Sequence, residues 1–192
     1  MGLFLASESP RRRVLLSELI SEFEVEAAAV EEAAAFSAIR PDELALGNAR
    51  LKAEAVAQRH PQDWVLGADT IVVLGNEIFG KPADLDEARS FLRRLSGRQH
   101  EVMTAVALIN ISAQRKIEFV ERSRVKFRDL TQEDIARYLQ LVPVLDKAGA
   151  YGIQEYGEIL VESIDGELAN IIGLPVQALG KYLIQVGILP EC

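Results

Sequence analysis

The chain has 192 residues, 49% hydrophobic and 26% charged, with a formal net charge of −8 and a pI near 4.9. That length makes one ordinary domain or two small lobes sharing a core, and the apolar fraction buries such a core without staples. The acidic balance repels nucleic acid polymers, the lone Cys192 excludes an intramolecular disulfide or a thiolate zinc site, and no stretch approaches the roughly 18 apolar residues of a membrane span. The apolar run from Gly2 to Ala6 is too short for a secretory signal and has no basic lead. The expectation is a cytoplasmic soluble protein whose partner is neither a membrane nor a nucleic acid polymer. A small anionic ligand stays compatible with this, because local charge decides there.

Gly2 to Ala6 reads as a short buried strand. Ser9-Pro10 opens a helix, Ser as cap and Pro at the first helical position, with Val14, Leu15, Leu16, Leu19 and Ile20 as its apolar face. Phe23 to Ala29 is expected to be extended, and Pro41-Asp-Glu43 starts a long helix running to about His60. Trp64 to Leu74 is the strongest strand signal, and Gly75-Asn-Glu77 reads as a hairpin turn after it. Asp84 and Glu87 cap a helix ending near Leu95-Ser-Gly97. Glu101 to Ile111 and Lys116 to Phe127 read as paired strands, Thr131 caps a helix through Leu141, a strand follows from Glu158 to Ser163, and Pro175 to Val186 closes the chain as a helix. Alternating helices and strands without repeat or linker imply an α/β class.

Certain places in this pattern carry chemistry. Ser7-Glu-Ser-Pro-Arg-Arg-Arg13 lies where a strand hands over to a helix, whose first N–H groups lack partners and whose dipole is positive. It is either a phosphate site or a capped helix with its arginines in water. The sign of arginine beside a positive dipole favours the anion. Asp69 sits inside an apolar run, where its burial costs several kcal/mol without a cationic partner, or else marks a turn that splits the run in two. Held beside a cation, it can bind metal or activate water.

Gly75 to Pro82 nearly matches the P-loop spacing, but Pro82 stands where a Ser or Thr hydroxyl is required, so that reading fails and Lys81 remains as a phosphate contact. Arg50 and Lys52 are two apart and point to different faces, so at most one faces a site; alone, they read as a solvated helix face. Glu31-Glu32 are either solvated acids or share a metal with Asp69. Asp146 to Gln154, with Gly149 and Gly152 flanking Tyr151, suits either a ligand loop with Gln154 reading a base or a structural turn.

Together, Leu5-Ala-Ser-Glu-Ser-Pro-Arg-Arg12, Ala49-Arg-Leu-Lys-Ala53, Leu66-Gly-Ala-Asp-Thr-Ile-Val72, Gly80-Lys-Pro82, Leu95-Ser-Gly97, Asp146 to Gln154 and Gly173-Leu-Pro175 resemble, in order, the Maf family of nucleoside triphosphate pyrophosphatases. The resemblance spans nearly the whole chain and implies a single Maf-like domain over residues 1–192. It implies a mixed twisted sheet with flanking helices, two lobes around a cleft, related to the inosine triphosphatase (Ham1) architecture. It also implies cleavage between the α- and β-phosphates with Mg²⁺ or Mn²⁺, and a homodimer. On the family's pattern, Asp69 falls on the proposed catalytic base, Ser7, Arg12, Lys52 and Lys81 on polar cleft positions, and Glu32 on a proposed acidic partner. The expectation is that Asp69, Lys52 and Lys81 are catalytic, that Glu32 and Asp69 hold the metal, and that Ser7, Arg11, Arg12 and Lys147, the last from the cations a triphosphate needs, bind the substrate. Arg11, Thr70 and Gln154 match the marker positions of the branch acting on dTTP and UTP, whereas the 7-methyl-GTP branch carries Trp, Gln and Glu. Glu155 departs from the glycine usual there. Alternatives within the resemblance are a nucleotide-binding regulator of septum formation and a 7-methyl-GTP pyrophosphatase.

Overall fold

The computed structural model describes residues 2–33 and 40–190. Its seven-stranded mixed sheet runs in the order β2-β1-β3-β5-β6-β7, with β4 paired to β3. The strands are β1 (Leu3–Leu5), β2 (Glu24–Val25), β3 (Trp64–Leu74), β4 (Glu77–Phe79), β5 (Gln99–Asn110), β6 (Arg115–Phe127) and β7 (Val161–Asp165). The helices are α1 (Pro10–Ser17), α2 (Pro41–Ala57), α3 (Leu85–Leu95), α4 (Gln132–Leu141), α5 (Gly157–Leu160), α6 (Leu168–Ile172) and α7 (Val176–Gln185). The mixed α/β class expected from the sequence is what is found. The chain divides into two compact units. The first is Met1–Asp69 with Thr104–Glu121 and Gly173–Cys192, and the second is Thr70–Met103 with Arg122–Ile172.

In the first unit β1 pairs in parallel with β3, Leu3 opposite Trp64 and Leu5 opposite Leu66. Helix α2 has Pro41 in its first turn and Asp42 and Glu43 beside the positive end of its dipole. One fully buried stripe is Ala45, Ala49, Ala53 and Ala57, one residue every four, so along this stripe only methyl groups project from the helix. Gly67 completes that approach. A Cβ there would stand 2.2 Å from the Ala49 carbonyl oxygen and 2.8 Å from the Ala53 nitrogen. Next to the alanine stripe runs a second row, Asn48, Lys52 and Val56, also buried. Helix packing thus carries two polar side chains to the edge of the core.

The second unit has its own apolar core, including Phe79, Leu92, Leu95, Phe127, Tyr138 and Leu160. Asp84 caps α3 by accepting from the nitrogens of Asp86 and Glu87, and Thr131 with Asp134 forms a reciprocal capping box on α4. The β3–β4 hairpin turns through Gly75 at φ 63°, as the glycine there requires.

Some local expectations shift. The extended segment after α1 narrows to Glu24–Val25, and α1 stops at Ser17 with Val14 exposed. The final strand begins at Val161, because Tyr156 in a left-handed conformation starts one helical turn that uses up Gly157–Leu160. Strand pairing then resumes with Phe127 opposite Val161. Helix α6 carries no periodic signal long enough to foresee.

Candidate active site

Asp69 is 6% exposed in an unbroken β3, so the turn reading of Gly67-Ala-Asp69 is set aside. Its compensation comes from α2. Lys52 Nζ donates to Asp69 Oδ1 at 2.8 Å and to the Ala68 carbonyl at 3.3 Å, and pairs with Glu32 Oε1 at 3.1 Å. Each of its three protons has a partner. Lys52 is itself 8% exposed, which corrects the expectation of a solvated helix face. Of the two basic residues, Lys52 turns in and Arg50 turns away to Glu118, at 2.6 and 3.0 Å, as spacing by two requires.

Asn48, one turn before Lys52, joins the cluster. Its Nδ2 donates to Asp69 Oδ2 at 3.3 Å and to the Ala33 carbonyl at 3.2 Å, while its Oδ1 accepts from the Ala33 nitrogen at 2.9 Å. Sequence reasoning passed over Asn48. The available signal was its i,i+4 relation to Lys52, which places both on one helix face.

At the start of α1, Ser9 accepts from the Arg12 nitrogen. Ser7 is buried and its Oγ accepts from the Ser9 nitrogen at 3.2 Å and from Arg12 Nη1 at 3.5 Å. Arg12 Nε donates to the Gly173 carbonyl at 2.9 Å. Desolvation lowers the Arg12 pKa, and the fields of Asp69 and Glu32 oppose that fall. Arg12 and Arg11 are both half-buried, Arg12 engaged by Ser7 and the Gly173 carbonyl, whereas Arg13 is exposed. Burial raises the Asp69 pKa, with Lys52 and Arg12 pulling it down. The first unit thus brings together Ser7, Arg12, Glu32, Lys52 and Asp69.

The second unit builds another cluster. Lys147 is 4% exposed, donates to the Pro143 carbonyl and to Asp146 Oδ1 at 2.9 Å, and pairs with Glu155 Oε1 at 3.3 Å. Gly152 lies under this pair, since a Cβ there would meet Lys147 Cε at 2.8 Å and Glu155 Oε1 at 3.1 Å. Tyr138 fixes Gly152 by donating its hydroxyl to the carbonyl at 3.2 Å and accepting from the nitrogen at 2.9 Å. Burial pushes the Tyr138 phenol up to about 12. The Gly149 nitrogen donates to the Gly80 carbonyl at 3.0 Å, tying this loop to the turn that presents Lys81. Lys81 and Gln154 are exposed and Thr70 is half-buried.

Among the described residues no group of three or more His, Cys, Asp or Glu side chains is placed to hold a metal. Glu32 and Asp69 together offer a smaller, all-oxygen set, gathered on one ammonium. Oxygen donors suit a hard divalent cation, whose further ligands would be water and phosphate oxygens.

Residues 2–186 match the family model described as Maf-like protein. The chain belongs to the Maf family. A dTTP/UTP pyrophosphatase of Akkermansia muciniphila is 46% identical over 183 residues, 95% of this chain and 95% of that protein. Another dTTP/UTP pyrophosphatase, from Clostridioides difficile, is 44% identical over 95% of this chain and 94% of its own length. The Staphylococcus aureus Ham1 protein shares the fold of this Maf chain, with a TM-score of 0.56 at 16% identity, covering 97% of this chain and all of that one. The Maf match runs through both compact units.

Proposed function

We propose that this Maf protein hydrolyses dTTP and UTP to the nucleoside monophosphate and pyrophosphate. The observation that carries the reading is the buried Asp69, held by Lys52 beside Glu32 and Arg12. The relatives named dTTP/UTP pyrophosphatase support the substrate class. Asp69 takes a proton from the attacking water, and its raised pKa gives the carboxylate the basicity for that step. The α,β-phosphate bridge breaks and pyrophosphate departs. Lys52, Arg12 and Lys81 offset the charge gathering on the phosphate oxygens. Ser7 and Lys147 bind the phosphates, while Arg11, Thr70 and Gln154 discriminate the base.

Glu32 and Asp69 would hold Mg²⁺ or Mn²⁺, which when bound supplies further charge neutralisation on the phosphates. The protein works as a cytoplasmic homodimer, with no membrane or nucleic acid polymer as partner. No helix of the described residues is long and apolar enough to cross a membrane.

The test is pyrophosphate release from a panel of dTTP, UTP, dCTP, dATP, GTP and 7-methyl-GTP with Mg²⁺ or Mn²⁺. Turnover of dTTP and UTP above the others is the expected result. Preference for 7-methyl-GTP, or binding without turnover, overturns it.

A further inference from the structure

We propose that the Lys52 ammonium stands in for a cation between Glu32 and Asp69, so that a divalent metal enters this site only together with a triphosphate that draws the ammonium away. This rests on the reading that a metal serves the site. Lys52 Nζ lies 3.1 Å from Glu32 Oε1 and 2.8 Å from Asp69 Oδ1, so it occupies the approach to both carboxylates. Its third proton goes to the Ala68 carbonyl. Asp69 Oδ2 is engaged from the other side by Asn48, so the carboxylate is held on the ammonium rather than turned away from it.

A dication reaching the same oxygens meets the ammonium at ion-pair distance, where repulsion between unscreened charges is strong. Two carboxylates against one ammonium leave a single negative charge to attract it. The field of Arg12, felt by Asp69, reduces that attraction further. A triphosphate changes the balance by bringing several anionic oxygens. Lysine suits the part, since its compact ammonium sits on a flexible stem and can transfer its donors from carboxylate to phosphate. A purely structural lysine would neutralise Asp69 and have no bearing on the order in which metal and nucleotide bind.

The test titrates Mn²⁺ into nucleotide-free protein and reads free Mn²⁺ by electron paramagnetic resonance. Lys52→Gln is expected to bind Mn²⁺ at least about tenfold more tightly than wild type, and the double variant Lys52→Gln/Glu32→Gln to lose that gain. Equal affinity of wild type and Lys52→Gln, or a gain that survives Glu32→Gln, overturns the proposal. Should Lys52→Gln not fold, as judged by circular dichroism, wild type alone decides. After subtraction of the Mn²⁺ that the α,β-imido analogue of dUTP chelates in protein-free samples, the Mn²⁺ affinity of wild type is expected to rise at least about tenfold with that analogue, and an unchanged affinity overturns the proposal. Failure of the activity reading would show instead in the triphosphate panel, while the nucleotide-free comparison stays readable.

Discussion

Each compact unit buries a lysine against two carboxylates, but the two clusters differ in who faces water. Around Lys52 one partner, Asp69, is as enclosed as the lysine, both side chains 9% exposed, and only Glu32 reaches water, at 39%. Around Lys147, itself 4% exposed, Asp146 and Glu155 are 59% and 36% exposed. Ion pairing is the same in both, but the dielectric around the acids is not. A carboxylate sealed from solvent has its proton affinity tuned by the protein, as burial raises that of Asp69. Carboxylates that reach water mainly hold and neutralise the lysine. The comparison therefore assigns chemistry to the first cluster and substrate anchoring to the second, under the proposed reaction.

The largest expected effect tests the first half of that assignment. Asp69→Asn keeps the shape of the side chain and removes its ability to take a proton. Pyrophosphate release from dTTP or UTP should fall about 10²- to 10⁴-fold with the fold intact by circular dichroism. Retention of most of the activity would move the chemistry elsewhere. In wild type, the acid limb of kcat/KM should lie above the ordinary aspartate range, because desolvation raises the Asp69 pKa and only the carboxylate accepts the proton.

A second contrast lies between buried titratable groups. Asp69 is paired with a cation, whereas His100 in the second unit is kept neutral by desolvation. Its pKa is pushed down to about 4 from 6.5, and its Nε2 lies 2.9 Å from the Tyr151 hydroxyl. The unfolded chain therefore binds a proton that the folded chain does not between those values. Stability from this group is full above 6.5 and is lost as pH falls toward 4. The loss should be about 3 kcal/mol in urea unfolding across that window. His100→Phe should remove this group's share of the slope and leave the opposite share of Asp69, whose raised pKa binds a proton in the folded chain, whatever the change does to absolute stability by leaving Tyr151 unpaired. An unchanged slope would place the acid-sensitive group elsewhere.

Much of this was legible in the residues, for physical reasons. The β3 run and the caps at Ser9, Asp84 and Thr131 are local signals, and local signals survive folding. Asp69 stood out because a lone acid in an apolar strand needs a partner. Spacing by two separated Arg50 from Lys52, but could not say which turned inward. That was settled by the alanine stripe and Gly67, which set the roll of α2 against its neighbours. Asn48 was hidden because its role depends on Ala33, distant in sequence. The α5 turn was missed because Ile159-Leu160-Val161 suits helix and strand alike, and only Tyr156 in a left-handed conformation decides between them.

Gly67 gives a smaller effect that sharpens the first cluster. Gly67→Ala sets a methyl against backbone atoms of Ala49 and Ala53, which cannot swing aside as a side chain would. Destabilisation of about 1–3 kcal/mol should follow, measured by urea unfolding. Any shift of α2 carries Asn48 and Lys52 with it, so the rate should fall along with stability. A rate unchanged at a clearly lowered stability would mean that the geometry between Lys52 and Asp69 tolerates movement.

The smallest expected effect tests the other cluster. Glu155→Gln removes one of two carboxylates from Lys147 but leaves Asp146 Oδ1 at 2.9 Å and the Pro143 carbonyl. Glu155 is partly exposed, so the pair contributes little, and stability should change by less than about 1 kcal/mol. A less neutralised Lys147 attracts phosphate more strongly. KM for dTTP should therefore drop by a small factor, roughly two- to threefold at low salt, with kcat unchanged. The drop should shrink as ionic strength rises, because a water-facing charge is screened whereas the Asp69 pair is not. Steady-state kinetics at two salt concentrations separates these outcomes. A fall in kcat comparable to that of Asp69→Asn would make Glu155 part of the chemistry, and exposure to water would no longer distinguish the two lysine clusters.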